Sequence, residues 1–398
     1  MKITDIQVHA VQAVGRTLVI VLVETDAGIT GVGEAGLQRR WQGVEGAVAH
    51  LRRWLIAEDP MRIEHLWQRM SRGGFYPADR LIGSAISGID IALWDIKGQA
   101  LGVPVYELLG GRCRDYVEVF TSAGCLRGPG LPVPDDLYAL AVRQGDPEAT
   151  GELACIYLAH GHRYFRLNLL WDEASQLLEP RPAVRRLLER LCAVRRAVGD
   201  RLELMVDLHT QLNPPEAIWF CREAEALGML LVEDPIRAEH PTSYRTIRQH
   251  VNTPLAAGEQ WASKWEFATA IEEELVDYVR MDVCVAGGLT EARKIAGCAE
   301  THYVQILPHN PLGPVCTAAS LHLDLACPNA GPQEVVFAPN DTLPDVFQCA
   351  FELQGSRLTV PTAPGLGVTF NREAAQAHPA EMTEPPHLHR LDGAYTNY

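Results

Sequence analysis

Residues 202–209 (LELMVDLH), 229–235 (MLLVEDP) and 254–260 (PLAAGEQ) decide how this chain reads. Each is a short apolar run that closes on a carboxylate: Asp207, Glu233 and Glu259. The interval is 26 residues both times, about what one strand, one helix and their loops require. Downstream, YVRMDV (278–283), YVQILPHN (303–310) and PQEVVF (332–337) keep the rhythm, with intervals of 23 to Asp282, 27 to His309 and 25 to Glu334. Upstream, YVEVFTS (116–122) and YFRLNL (164–169) bring the number of runs to eight. Apolar runs alternating with helical stretches predict an α/β chain whose residues 116–360 form a closed parallel barrel. The strand ends of such a barrel meet on one face, which carries the active site.

The first 115 residues read differently. Residues 2–12 and 17–25 alternate apolar with polar, as two antiparallel strands do. TDAG (25–28) supplies a turn into GITGVGEAG, and helical periodicity follows at 42–56, 60–71 and 84–102. RGGFYP (72–77) breaks any helix and is expected to be a loop. This is a small α+β domain over residues 1–115. The proline-rich segment 361–398 is expected to return to it.

Composition sets limits. The 398 residues carry 47% hydrophobic side chains and a formal net charge of −15. So acidic a surface repels phosphates, which argues against nucleic acid as a partner. No apolar run approaches a membrane span, and MKITDIQVHAVQ reads as a strand, not a signal peptide. None of the ten cysteines forms a C-x-x-C pair, so buried free thiols in a reduced, cytoplasmic protein are expected.

Asp207, Glu233 and Glu259 at three successive strand ends would repel one another in one pocket unless a cation sat among them. Carboxylate oxygens alone favour a hard ion such as Mg²⁺; a lone carboxylate at such a place is more often a cap or an ion-pair partner. His209 lies two residues past Asp207, which on a strand is the same face. Asp282 is placed to reach His309 and raise its basicity. Glu334 is either a hydrogen-bond donor to a developing oxyanion, if protonated, or a loop anchor. Arg166 and Asn168 share one strand face and either touch a substrate or bond the barrel rim.

With these residues in place, the chain resembles the enolase superfamily, mandelate racemase subgroup. The pieces that carry the resemblance are ETDAGITGVGEAG, SAISGIDIALWDIKGQALGVPVYELLGG, VDLH, VEDP, AAGEQ, RMDVCVAGGLTEARKIA and PHNPLGP, and they span nearly the whole chain. RGGFY, Asp207-x-His209, Arg166-x-Asn168 and PHNPLGP make it most similar to the acid-sugar dehydratases of galactonate-dehydratase type. The resemblance implies a (β/α)7β-type TIM barrel beneath an N-terminal α+β capping domain, and Mg²⁺ on Asp207, Glu233 and Glu259. It implies His309 with Asp282 as general base, His209 as general acid toward the 3-hydroxyl, and Glu334 assisting the enediolate. It also implies a substrate pocket shaped by Glu34, Arg39, Arg40, Trp41 and Tyr76, a small-molecule sugar acid as substrate, and a homo-oligomer.

Two departures stand out. Lysine-base relatives carry Lys-x-Lys where this chain has Arg166-Leu167-Asn168, and the galactonate type continues with Gly-Arg where this chain has Thr210-Gln211. The same scaffold would also suit a racemase or epimerase working between His309 and His209, or a non-catalytic relative that binds metal and ligand.

Overall fold

The structure is a computed structural model that describes residues 1–125 and 131–397. It divides into two compact units: Met1–Glu118 with Glu259–Ala268 and Arg280–Glu384, and Val119–Gly258 with Thr269–Val279 and Pro385–Tyr398.

The first unit begins with an antiparallel sheet of Ile3–Ala13, Arg16–Thr25 and Thr30–Ala35. Val14 and Gly15, with φ of 46° and 76°, join the first two strands. Two positive-φ residues suit the twist of a hairpin. The central strand is apolar along its length, and the helix Arg80–Leu101 packs on the sheet. The glycines of GITGVGEAG allow that approach: a Cβ on Gly31 or Gly33 would overlap the backbone carbonyls of Ala92 or Gly88. Asp79 caps this helix by accepting from the Ile82 N–H, and Gly102 ends it at φ 71°. Asp95 on its buried side accepts from the Val32 and Leu366 N–H groups. One carboxylate thereby ties the first sheet to the segment after residue 360.

In the second unit, five strands lie side by side in chain order and parallel: Tyr164–Asn168, Glu203–Asp207, Met229–Glu233, Leu255–Ala257 and Tyr278–Val279. Between them run helices such as Pro180–Val198 and Pro214–Ala224, each opened by a proline in its first turn, where no N–H is needed. The strands form a barrel-like parallel sheet, in the chain order that the alternation predicted for a closed barrel.

Three expectations change. Strands read from sequence as six to eight residues in the later part of the chain are two or three long: Leu255–Ala257, Tyr278–Val279, Gln305–Ile306 and Gln333–Glu334. Gly258 at φ 136°, and Pro308 and Pro311, which lack an N–H, end the pairing early. The segment 280–360 groups compactly with residues 1–118, where a cut near 116 and 360 was expected. The tail also divides: the His378 carbonyl accepts from the Gln12 N–H, whereas His389 and Asn397 bond the second unit at Leu178 and Leu212. No helix among the described residues is long and apolar enough to cross a membrane.

Candidate active site

In the second unit, strand register brings three expected residues into line. Asn168 lies opposite Asp207, and Asp207 opposite Glu233. Each is the last residue of its strand. Asp207 and Glu233 are buried. Asn168 Nδ2 donates to Asp207 Oδ2 at 3.1 Å, and the His209 N–H donates to Asp207 Oδ1 at 2.7 Å. Arg166 is 4% exposed and its NH1 donates to Glu233 Oε2 at 2.7 Å. Its Nε and NH2 donate to Ser122 Oγ at 3.1 and 2.8 Å, and its guanidinium lies 5.2 Å from the Phe120 ring centroid. The Arg166 guanidinium is thus spent on holding a carboxylate.

His209 is placed by a different cause than expected. The strand ends at Asp207, and His209 and Thr210 have φ of 47° and 59°. Strand alternation therefore does not set the direction of the His209 ring; a left-handed turn does, fixed by the Thr210 N–H donating to the Asp234 carbonyl at 2.7 Å.

In the first unit, the remaining chemistry sits on loops just past short strands. Asp282 Oδ2 is 3.0 Å from His309 Nδ1, while Asp282 Oδ1 accepts from the Cys284 N–H at 2.7 Å. The other ring nitrogen, His309 Nε2, is 3.3 Å from Glu259 Oε2. Burial alone would lower the His309 pKa. Glu259, then the Asp282 hydrogen bond and Glu334, outweigh it and raise the pKa to about 9. Glu334 is buried, pairs with the fully buried Arg280 and accepts from the Asn310 N–H at 3.2 Å. Held between N–H donors, its carboxylate is arranged to accept hydrogen bonds. Arg280 also donates to the Leu307 and Pro308 carbonyls at 2.9 and 3.2 Å. It therefore braces the peptide that leads into His309.

Glu34 requires a correction. It was expected on a loop shaping a substrate pocket, but it lies in the strand Thr30–Ala35, fully buried. Its carboxylate accepts from the N–H groups of Gly313 and Cys316 at 2.9 Å each, at the start of the helix Pro314–Ala326. Helix-start N–H groups attract a carboxylate, so the side chain serves the fold. Arg39 sits half-buried in the turn Gln38–Arg40, and Trp41 opens the helix Trp41–Leu55. Tyr76 is 81% exposed and packs edge-on against Phe75 at 5.2 Å between ring centroids.

Sequence reasoning missed Arg280, Ser122 and Asn310. Arg280 left a signal: an arginine inside the apolar run YVRMDV, where a charge is retained only with a buried partner.

Comparison with known proteins adds the following. Residues 3–110 match the mandelate racemase / muconate lactonizing enzyme N-terminal domain, and residues 149–374 the enolase C-terminal domain-like family. The chain is 38% identical over 357 residues to a D-galactonate dehydratase of Ralstonia pickettii, covering 88% of this chain and 87% of that one. It is 36% identical over 412 residues to a D-galactonate dehydratase of Xanthomonas oryzae pv. oryzae, covering 100% of both. Among solved structures, an enolase from Pantoea ananatis with bound D-gluconate and Mg is 28% identical, covers 99% of each chain and superposes with a TM-score of 0.88.

Proposed function

The chain belongs to the mandelate racemase / muconate lactonizing enzyme family of the enolase superfamily, and from that premise we propose that it dehydrates a galactonate-like aldonate to the 2-keto-3-deoxy acid. It is a sugar-acid dehydratase, a hydro-lyase, as its D-galactonate dehydratase relatives are. The observation that carries the mechanism is the orientation of His309, held through Nδ1 by Asp282 with Nε2 on the opposite side of the ring.

The C2 proton of a sugar acid is weakly acidic because its loss places a second negative charge beside the carboxylate. His309, oriented by Asp282, takes that proton as general base. His209 gives a proton to the 3-hydroxyl, which leaves as water. The resulting enol tautomerises to the 2-keto-3-deoxy acid, so atoms and charge balance. Glu334 and Arg280 hold the His309 loop, and Arg166 positions Glu233. We assign substrate contacts to Asn168, Arg39, Trp41 and Tyr76.

Asp207, Glu233 and Glu259 are the proposed Mg²⁺ ligands. Their donors are all carboxylate oxygens, which suit a hard cation, and register sets Asp207 beside Glu233. Mg²⁺, when bound, neutralises the charge that gathers on the substrate carboxylate. We propose further that it works as a homo-oligomer in a reducing cytoplasm, where its cysteines stay as free thiols.

The test is incubation with Mg²⁺ and a panel of sugar acids in D₂O. A semicarbazide-reactive keto acid is expected, with C2 exchange lost in His309→Asn by about 10²–10⁴-fold. Exchange that survives in that variant removes His309 from the base role. An epimer in place of a keto acid would make the enzyme a racemase or epimerase.

A further inference from the structure

The turn after Asp207 holds two buried polar side chains that the mechanism above does not use. Thr210 and Gln211 are each 1% exposed. Thr210 Oγ1, Gln211 Oε1 and Gln211 Nε2 have no hydrogen-bond partner among the described residues. Buried polar groups are ordinarily satisfied, and leaving one unmade is costly. Here three orphaned atoms fall on two consecutive residues. Thr210 moreover holds a left-handed φ of 59°, which a β-branched residue rarely adopts. Strain and unmet hydrogen bonds coincide where a chain is shaped for a ligand.

The placement agrees. The backbone of both residues is pinned: the Thr210 N–H donates to the Asp234 carbonyl and the Gln211 N–H to the Leu208 carbonyl at 3.0 Å. Leu212 bridges to Ile236 on the neighbouring segment. The two side chains therefore belong to a rigid turn at the carboxyl ends of parallel strands, where ligands of such sheets bind. A carboxamide offers one acceptor and two donors, and a threonine hydroxyl offers both roles. This set matches neighbouring hydroxyls of an open-chain polyol.

We propose that Thr210 and Gln211 determine which sugar acid is accepted, by hydrogen-bonding hydroxyls beyond C3. The proposal rests on the dehydratase reading and deepens it. Other uses of the two residues, packing alone or a bridging water, make a different prediction, because they are indifferent to the substrate.

The test replaces each side chain by an apolar isostere, Gln211→Leu and Thr210→Val, and compares D-galactonate, D-gluconate and D-glycerate in Mg²⁺. D-glycerate keeps the carboxylate and the C2 and C3 hydroxyls and lacks all others. We expect kcat/KM, or calorimetric Kd where turnover is absent, to fall about 5- to 100-fold for the six-carbon acids relative to glycerate. Thermal stability should hold or rise, since the orphaned atoms are gone. An unchanged ratio between the six-carbon acids and glycerate overturns the proposal, whatever happens to the melting temperature. A wild-type protein that neither binds nor turns over any of the three overturns the dehydratase reading itself, which separates the two failures.

Discussion

The two compact units hold their functional groups by different means. In one, Asn168, Asp207 and Glu233 are terminal residues of neighbouring strands, so the parallel ladder fixes their backbone positions. In the other, Asp282 and His309 follow strands only two residues long, and side chains carry the alignment. There the Cys284 N–H holds Asp282, while Arg280 holds Glu334 and the Leu307 and Pro308 carbonyls. Each unit also spends one buried arginine on one buried glutamate: Arg166 on Glu233 and Arg280 on Glu334. A ladder locates a carboxylate without setting its charge balance. A loop needs the ion pair for both purposes.

This contrast yields the largest expected effect. Arg280→Met removes the buried guanidinium that pairs with Glu334, and should cost about 3–5 kcal/mol of stability. The loss should be the same with and without Mg²⁺, because Glu334 is not a proposed ligand. Arg166→Met should destabilise the metal-free protein, and Mg²⁺ should restore much of that loss, because the ion would take over the neutralisation of Glu233. Chemical denaturation of both variants in EDTA and in Mg²⁺ makes the comparison. Equal indifference to Mg²⁺ in the two would break it and remove Glu233 from the ligand set.

A second, smaller effect concerns His309. Its pKa of about 9 depends first among the raising influences on Glu259. A base that stays protonated at neutral pH cannot accept a proton, so the carboxylate must be offset for His309 to work. The imidazole should titrate near 9 in EDTA-treated protein, and Mg²⁺ should move the midpoint toward neutrality. Glu259→Gln should lower it in the absence of metal. NMR of the imidazole protons reads each midpoint. A midpoint indifferent to both Mg²⁺ and Glu259→Gln would detach Glu259 from the metal site.

The same contrast explains what the sequence could disclose. Spacing reveals strand ends, so Asp207, Glu233 and their order were legible from periodicity alone. Side-chain direction was legible only where the strand continued. His209 was assigned a face by alternation, yet it sits past the strand end at φ 47°. Glu34 was expected on a capping-domain loop, whereas it lies in a strand that packs against a helix through Gly31 and Gly33, and its carboxylate meets a helix start some 280 positions away. Partners that distant in sequence leave no local pattern. Glu334, 54 positions from Arg280, was hidden in the same way, although the arginine inside an apolar run announced that some buried partner exists.

Glu34 supplies the smallest effect. Burial raises its pKa from 4.5 to about 7, against the lowering influence of the Cys316 and Gly313 N–H groups. The sign follows from linkage: a carboxyl whose folded pKa lies above its unfolded value binds its proton more tightly when folded. Its contribution to stability is present in full below about 4.5 and declines as pH rises toward 7. Glu34→Gln removes the ionisation and keeps one acceptor oxygen for the helix start. Relative to the parent, the variant should lose least near pH 7 and on the order of 1–3 kcal/mol more near pH 4, where the parent keeps a neutral carboxyl with both oxygens in place. Asp207 and Glu233 do not enter this difference, since both proteins share them. Denaturation at a series of pH values, in EDTA so that metal binding does not vary, isolates it. Parallel stability curves for parent and variant would show that Glu34 stays charged in the fold. The two N–H groups would then suffice to hold a buried carboxylate as an anion, and the first unit would tolerate charge as readily as the strand-borne row of the second.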